Sequence, residues 1–168
     1  ARLRRLGVKR IAMLTGDNRA AAEAVAARAG ITEIYPECLP QDKVSILRRM
    51  QEEGRTVTFV GDGINDSPAI TAADTGIAMG SGTDVAVESS DVVLISSDLA
   101  GLASALALAK RTEAVMYQNI AIAVGTVALL LIGLFAGFVH MSVGMLIHEA
   151  SILVVIFNAM RLLFLKGE

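Results

Sequence analysis

The chain contains a long stretch without a single charged side chain, which begins at Ala114 and ends at Val139. About 20 apolar residues are enough for a helix to cross a bilayer, and this stretch is longer. A second apolar stretch, Met141 to Met160, follows His140, where we expect a turn. Hydrophobic residues make up 54% of the sequence and Trp is absent, which is more apolar than a soluble domain usually is. We therefore predict a helical hairpin that spans a membrane.

The charges around this hairpin indicate its orientation. Lys110 and Arg111 precede the first apolar stretch, and Arg161 and Lys166 follow the second, whereas the turn between them holds no Lys or Arg. Because Lys and Arg are retained on the cytosolic side, we expect the outer ends and all preceding residues in the cytosol of a multi-pass plasma-membrane protein. A buried hairpin in a soluble protein is the alternative, which the length of the uncharged stretch disfavours. The net charge of −2 gives no case for nucleic-acid binding.

The residues before the hairpin alternate between strand-like and helix-like segments, which predicts an α/β fold with a parallel sheet. The strand-like segments are Val8–Leu14, Thr56–Phe59, Thr75–Gly80 and Asp91–Ile95, and Ile31–Leu39 is extended. The helix-like segments are Arg19–Ala29, Pro40–Glu53, one with Ser67 as its cap and Pro68 as its first residue, and Leu99–Lys110. We predict an α/β domain at residues 1–98, a connecting helix at 99–113, and a membrane hairpin with a short cytosolic tail at 114–168, its helices at about 114–139 and 141–160.

The run Gly61-Asp62-Gly63-Ile64-Asn65-Asp66 follows the segment Thr56–Phe59, a predicted buried strand. In open α/β sheets, ligands gather at the carboxyl ends of the strands. Carboxylates in a tight polar loop suit Mg²⁺, which takes few carboxylates and shares its coordination shell with phosphate. An acidic surface loop is the alternative. The full run after a strand favours a magnesium–phosphate site with Asp62 and Asp66 as the metal ligands.

A second polar run, Thr15-Gly16-Asp17-Asn18, follows the first predicted strand and precedes a helix. A hydroxyl, a glycine and helix N-terminal amides at a strand end can bind phosphate. Ordinary helix capping would explain Asp17 or Asn18 alone, although not the recurrence of this arrangement at Gly61 to Pro68. Lys43 lies in the first turn of another helix, where a cation is unfavourable for the helix dipole. That position invites a functional role, although a solvated lysine is the alternative.

Two polar residues, His148 and Glu149, interrupt the second apolar stretch. Ionisable groups within a membrane are costly and are therefore usually functional. Imidazole with carboxylate suits a divalent transition metal better than Cu⁺, so we expect both residues on an ion pathway. Hydrogen bonds to neighbouring helices are the alternative. The single Cys38 excludes an intrachain disulfide, and no second Cys or nearby His supports a chemical role for it.

These motifs resemble the later motifs of the P-type ATPases, a branch of the haloacid-dehalogenase-like superfamily. Two membrane helices directly after the α/β part resemble the branch that transports transition metals. The resemblance implies that Thr15, Gly16 and Asp17 line a phosphoryl site with Asn65, and that Lys43 neutralises the transferred phosphate. It also implies Mg²⁺ at Asp62 and Asp66, ATP as cosubstrate, and a divalent metal ion as the transported partner.

His148-Glu149-Ala150-Ser151 is similar to the His-Glu-Gly-Gly/Ser-Thr pattern of cobalt/zinc/iron-type exporters, from which Ala150 and Ile152 depart. The family's phosphorylated aspartate lies in an Asp-Lys-Thr-Gly-Thr motif that this sequence lacks. We therefore expect the C-terminal part of a Zn/Co/Fe/Cd-type efflux pump, which works through an aspartyl phosphate and is inactive without the N-terminal part. A membrane-tethered phosphatase of the same superfamily and a non-catalytic binding or regulatory fragment are the alternatives.

Overall fold

The computed structural model describes residues 2–62, 64–80, 84–95 and 98–164. Gly63, within the acidic run, and Lys166, one of the flanking cations, lie outside the described residues. The chain divides into two compact units, Ala1–Ala103 and Ser104–Glu168. The first unit is the α/β part and the second consists of helices.

Five short strands and six helices occur among the described residues of the first unit, and the last helix continues into the second. They follow the order α1 Arg2–Arg5, β1 Ala12–Leu14, α2 Arg19–Ala29, β2 Glu33–Tyr35, α3 Pro40–Glu52, β3 Thr58–Gly61, a 3₁₀ turn Ile64–Asp66, α4 Ser67–Ala72, β4 Thr75–Met79, α5 Asp84–Glu88, β5 Val92–Leu94 and α6 Leu99–Phe135.

All strand pairs are parallel, which confirms the predicted fold class. β1 pairs with β2, and β3, β4 and β5 form a second sheet in that order. Ala78 on the central strand β4 and Ile70 on α4 are almost fully buried, and Phe59 of β3 packs against them. Within the described residues, no ladder joins β1 to β3, so each of these strands has one edge without a strand partner.

All four predicted strands differ from their predicted bounds, and β4 and β5 do so by single residues, since β4 ends at Met79 rather than Gly80 and β5 covers Val92–Leu94 rather than Asp91–Ile95. β1 is shorter than Val8–Leu14, because the Val8 amide bonds back to the Leu3 carbonyl and the preceding turn closes at Gly7 in a left-handed conformation. β3 begins at Thr58 rather than Thr56, because pairing starts where β4 starts. Just before that point the Asp74 carboxylate accepts the Val57 amide at 2.8 Å.

A branched ion pair joins the beginnings of β1 and β2 to the end of α3. Arg10 donates to both carboxylate oxygens of Glu33, at 2.7 and 2.5 Å, and to Glu53 at 3.1 Å. Tyr35 donates its hydroxyl hydrogen to Glu33 at 2.8 Å. These hydrogen bonds lower the pKa of the Glu33 carboxyl, with Arg10 as the largest cause. The bidentate geometry is the strong form of an arginine–carboxylate pair.

The second unit is a helical hairpin. α6 runs uninterrupted through the predicted connecting helix and membrane span, and α7 covers Met141–Met160 before a 3₁₀ turn at Arg161–Phe164. Two helices, Ala100–Phe135 and Met141–Phe164, are long and apolar enough to cross a membrane. α6 ends at Phe135 rather than Val139, because left-handed Gly137 turns the chain and the amides of Phe138 and Val139 bond back to the Gly133 carbonyl.

The two helices contact each other through polar groups away from this turn, near the end of α7 and in the middle of α6. Asn158 on α7 donates to Asn119 at 2.8 Å and to Gln118 at 3.2 Å, both on α6. Arg161 donates to the side-chain oxygen of Asn158 at 2.8 Å. Amide side chains of this kind hold membrane helices together where lipid offers no alternative partner.

Candidate functional site

The side chains of Lys43 and Asp66 form an ion pair in the first unit. Lys43 is the fourth residue of α3, and Asp66 closes the 3₁₀ turn after β3. The Nζ atom of Lys43 lies 2.6 Å from Oδ1 of Asp66, and the side chains are 11% and 13% exposed. Removing one partner of such a covered pair leaves the other charge uncompensated, which costs about 3–5 kcal/mol. The pair was not expected from the sequence, because 23 residues separate its members.

Gly61, the last residue of β3, makes room for Asp66. A Cβ atom at this glycine would lie 2.6 Å from the Cβ of Asp66 and 3.0 Å from its Oδ2. Real Cβ atoms do not approach so closely, so any larger residue here would displace the carboxylate. The glycine therefore allows Asp66 to fold back over the strand end, a role that the sequence motif alone did not reveal.

Asp62 and Asn65 lie exposed on either side of the undescribed Gly63. Lys43 occupies only Oδ1 of Asp66, so the Asp66 Oδ2 and the Asp62 carboxylate remain as hard oxygen donors. No cluster of three or more His, Cys, Asp or Glu occurs among the described residues. A pair of carboxylates is the donor set that Mg²⁺ takes when water and phosphate complete its shell, so the residues fit this ion.

The prediction for Ser67 was wrong. We expected it to cap α4, but Asp66 holds that position and Ser67 is the first helical residue. The reason is that the 3₁₀ turn Ile64–Asp66 leads directly into α4, so the chain is already helical before Ser67. The Ser67 hydroxyl is buried and has no hydrogen-bond partner among the residues that the structure describes. Such a group costs free energy of about 1–3 kcal/mol.

The loop after β1 is tied together by its own polar groups. Thr15 Oγ1 donates to Asp17 Oδ2 at 3.0 Å and accepts the Asp17 amide at 3.1 Å. Asn18 caps α2 by accepting the Ala21 amide at 2.9 Å. Of the two capping candidates, Asn18 therefore takes that role, and the exposed carboxylate of Asp17 stays in the loop with Thr15 and Gly16.

A second loop, Pro36 to Leu39, connects this region to α3. The Cys38 amide bonds to the Thr15 carbonyl and the Glu37 amide to the Asp17 carbonyl, both at 2.9 Å. Glu37 adopts φ 57°, a left-handed conformation that is uncommon outside glycine and concentrates at functional sites. The Asp42 carboxylate then accepts the Leu39 amide at 2.9 Å and stabilises the start of α3. The loop thus ties the Thr15 region to the helix that carries Lys43.

Cys38 lies within this connection. Its thiol donates to the Tyr35 carbonyl at 3.3 Å. Burial raises the pKa of the thiol, and the negative charge of Asp42 adds to the increase. A protonated thiol is a poor nucleophile and a poor metal ligand, so the geometry gives Cys38 a structural role.

His148 and Glu149 lie on α7, and both side chains are exposed. The hydroxyl of Ser151 donates to the His148 carbonyl at 2.7 Å. The partly covered positions of α7 are Gly144, Ser151, Val155, Asn158 and Ala159, which lie on one side of the helix. At 100° per residue, His148 lies about 40° from Gly144, on that side, and Glu149 lies about 140° from it. Both side chains are nevertheless exposed in this hairpin.

Comparison with known proteins covers both units. The family described as haloacid dehalogenase-like hydrolases matches residues 1–74. A zinc-transporting ATPase of Bacillus subtilis (strain 168) is 45% identical over 161 residues, which are 96% of this chain and 25% of that protein. A copper-transporting ATPase of Rhizobium meliloti (strain 1021) is 54% identical over 118 residues, 70% of this chain and 14% of that protein.

The solved structures include a crystal structure of a zinc-transporting PIB-type ATPase. It superposes with a TM-score of 0.88 at 41% identity, over 96% of this chain and 26% of that one. The chain thus spans about a quarter or less of the length of the relatives it matches. The match to this structure extends over both the α/β unit and the helical hairpin.

Proposed function

Because this chain belongs to the heavy-metal-transporting P-type ATPases, we propose that it supplies part of the phosphoryl-transfer site and part of the ion pathway of an ATP-driven efflux pump. The proposed cargo is a divalent transition metal such as Zn²⁺, Co²⁺, Fe²⁺ or Cd²⁺. The observation that carries the proposal is the covered Lys43–Asp66 pair beside Asp62 at the carboxyl end of β3.

In the proposed mechanism, Asp62 and Asp66 would hold Mg²⁺, which would offset negative charge on the phosphoryl group. Lys43 has three ammonium hydrogens, of which Asp66 Oδ1 receives one. The others are available to phosphoryl oxygens, and a positive charge at this point stabilises charge during transfer. The Gly16 amide would orient the same group, together with the Thr15 hydroxyl once it exchanges its bond to Asp17 Oδ2, and Asn65 would offer an exposed amide beside it.

The phosphorylated aspartate is expected from outside this chain. β1 and β3 each have one edge without a strand partner within the described residues, and unpaired edges are templates for another strand. We propose that a strand from elsewhere in the pump pairs with this α/β unit and brings the nucleophilic aspartate to the ends of β1 and β3. The nucleophile would attack the γ-phosphorus of ATP, ADP would leave, and water would later release phosphate.

The hairpin would form part of the membrane domain. Basic residues at Lys110 and Arg111 before the first span, and Arg161 after the second, support a cytosolic position for its outer ends. His148 and Glu149 would then lie within the membrane, and both are free to face helices from the rest of the pump. An ionisable pair at such a depth supports an ion pathway.

The test compares the complete pump with this chain by itself, each incubated with Mg²⁺ and ATP labelled in the γ-phosphate. The complete pump should form an acid-stable phosphoenzyme that depends on the transported metal. This chain by itself should form none, because it contains no Asp-Lys-Thr-Gly-Thr run. Covalent label on this chain would contradict the assignment of the nucleophile to another segment.

The same experiment separates the pump from the two alternatives. A membrane-tethered phosphatase would release phosphate from small phosphate esters without metal stimulation. A non-catalytic fragment would leave the phosphoenzyme unchanged when Lys43 or Asp62 is substituted. The extension of similarity from the phosphoryl-site motifs through both apolar helices favours the pump.

A further inference from the structure

Two methionines share a face of α7 with the His148–Glu149 pair. Met141, Met145 and His148 follow one another at intervals of four and three residues, and Glu149 stands four residues after Met145. These intervals place side chains in a row along one side of a helix. The row contains two thioethers, an imidazole and a carboxylate, all of which can bind metal ions.

The contacts of the hairpin leave this row unused. Met141 is 81% exposed and Met145 is 62% exposed, and His148 and Glu149 are also exposed. α7 meets α6 through Asn158, whose amide bonds to Asn119 and Gln118. On the helix, Asn158 lies about 100° from Met141, at 100° per residue. The thioethers therefore lie outside the packing between the two helices.

Met145 is placed to act together with both members of the pair. Residues three and four apart on a helix have Cβ atoms about 5–6 Å apart, so Met145 neighbours His148 and Glu149 at once. A methionine side chain has three rotatable bonds and can bring its sulfur to a point between them. Sulfur, nitrogen and oxygen donors could thus meet one ion from a single helix turn.

We propose that Met145 is a third ligand for the transported ion, beside His148 and Glu149, and that Met141 provides the next thioether one turn toward the start of α7. This inference rests on the proposed function of the pair. A thioether is a soft donor, which prefers soft ions over hard or borderline ones. Met145 therefore adds affinity for Cd²⁺ and Cu⁺ and hardly any for Zn²⁺ or Co²⁺, and it widens the range of ions that the pathway accepts.

The test measures metal-stimulated ATPase activity of the complete pump in membrane vesicles, with Cd²⁺, Cu⁺, Zn²⁺ and Co²⁺ in turn. Met145→Leu keeps the volume and apolar character of the side chain but removes the sulfur. It should raise the half-saturating concentration of Cd²⁺ and Cu⁺ about tenfold, which is 1.4 kcal/mol of binding free energy. The half-saturating concentration of Zn²⁺ and Co²⁺ should change by less than about twofold on the same scale.

The matched control is Met116→Leu, which changes a half-exposed methionine on α6 away from the row. This variant should leave the half-saturating concentrations of all four ions unchanged. A Met141→Leu variant should also raise the half-saturating concentrations of Cd²⁺ and Cu⁺. X-ray absorption of the Cd²⁺-loaded pump should show sulfur scattering that Met145→Leu reduces and Met116→Leu does not. Equal changes for all four ions, or an effect of Met116→Leu as large as that of Met145→Leu, would overturn the inference.

Glu149→Gln distinguishes this inference from the proposed function on which it rests. If Glu149→Gln weakens stimulation by every divalent ion and Met145→Leu has no effect, the pair is on the ion pathway and the thioether is not a ligand. If neither substitution changes the stimulation of ATPase activity by any ion, both the inference and the proposed pathway are wrong. In every variant, phosphorylation by inorganic phosphate without transported metal should persist, because that reaction uses, from this chain, only Lys43, the Thr15 loop and the Asp62–Asp66 carboxylates, together with the nucleophile from elsewhere in the pump.

Discussion

The Cα atom of Gly61 stands so close to the side chain of Asp66 that no Cβ fits between them, since an added methyl would lie 2.6 Å from the Cβ of Asp66. Gly61 is also buried at the end of β3, so the backbone has no open side into which it could move. The position of the Asp66 carboxylate therefore depends on the absence of a side chain at residue 61.

Gly61→Ala should destabilise the α/β unit by about 1–3 kcal/mol, the usual cost of overpacking, and should move Asp66 away from Lys43. Phosphoenzyme formation by the complete pump should fall strongly as a result. Gly125→Ala is the control, because a Cβ at Gly125 in α6 meets nothing within 4 Å. A Gly61→Ala pump with a normal phosphoenzyme level would show that the close approach is irrelevant to the site.

The two carboxylates should differ when each is changed to its amide. Asp62 is exposed, so Asp62→Asn should leave folding intact while phosphorylation by ATP falls roughly 100-fold, the order for loss of one electrostatic group. Asp66→Asn should lower phosphorylation and also destabilise the unit, because it leaves the ammonium of Lys43 covered and unpaired. Labelled phosphoenzyme and urea-dependent proteolysis measure the two effects. Near wild-type turnover in both variants would exclude these carboxylates as the magnesium site.

Substitutions of Lys43 and Asp66 should be strongly coupled in their effects on the free energy of unfolding but not in their effects on activity. Lys43→Met alone leaves the Asp66 carboxylate without its partner and should cost about 3–5 kcal/mol. Adding Asp66→Asn removes the uncompensated charge, so the double variant should be more stable than the sum of the single effects predicts. It should still be inactive. Urea-dependent proteolysis of the wild type, the two single variants and the double variant gives the coupling free energy between the two residues. If the effects of the single substitutions simply add, the 2.6 Å contact contributes nothing to folding.

The Arg10–Glu33 pair should make the α/β unit sensitive to acid. The folded-state pKa of Glu33 lies below its ordinary value of 4.5, chiefly because Arg10 donates to it. Its contribution to stability is therefore complete above pH 4.5 and is lost as the pH falls below that value through the folded pKa. Glu33→Gln should remove this acid dependence.

Hydrogen exchange of the β1 and β2 amides across that pH range measures the effect in the full chain. Arg10→Lys is the matched variant, because it keeps the charge but loses the two-pronged geometry, and it should give an intermediate dependence. An identical acid dependence in wild type and Glu33→Gln would place the responsible group elsewhere.

Local features of the sequence predicted the parts of the fold that depend on neighbouring residues. The α2 helix, Arg19–Ala29, has the predicted ends, because Asn18 and Gly30 provide the caps that their chemistry favours. α3 begins at Pro40 as expected and ends one residue before the predicted Glu53. The apolar stretches gave the two long helices for the same reason, since hydrophobicity over about 20 residues is a property of the chain itself.

Features that depend on distant residues were not predictable in the same way. The partner of Lys43 lies 23 positions away, and neither the unfavourable place of Lys43 in the first turn of α3 nor the family resemblance identified that partner. The late start of β3 depends on Asp74, and the buried hydroxyl of Ser67 depends on the turn that precedes it. The left-handed Glu37 carries no sequence signal at all, because left-handed backbone is usually associated with glycine.

The contact between Lys43 and Asp66 has a consequence for a pump that must bind and release its ligands in every cycle. The ammonium group is a covalently attached cation that stands next to a carboxylate proposed to hold Mg²⁺. A Mg²⁺ held by Asp62 and Asp66 Oδ2 would therefore bind beside a positive charge that is already present. Because Lys43 balances the charge of Asp66 in the absence of the ion, this carboxylate would keep a partner when magnesium and phosphate leave.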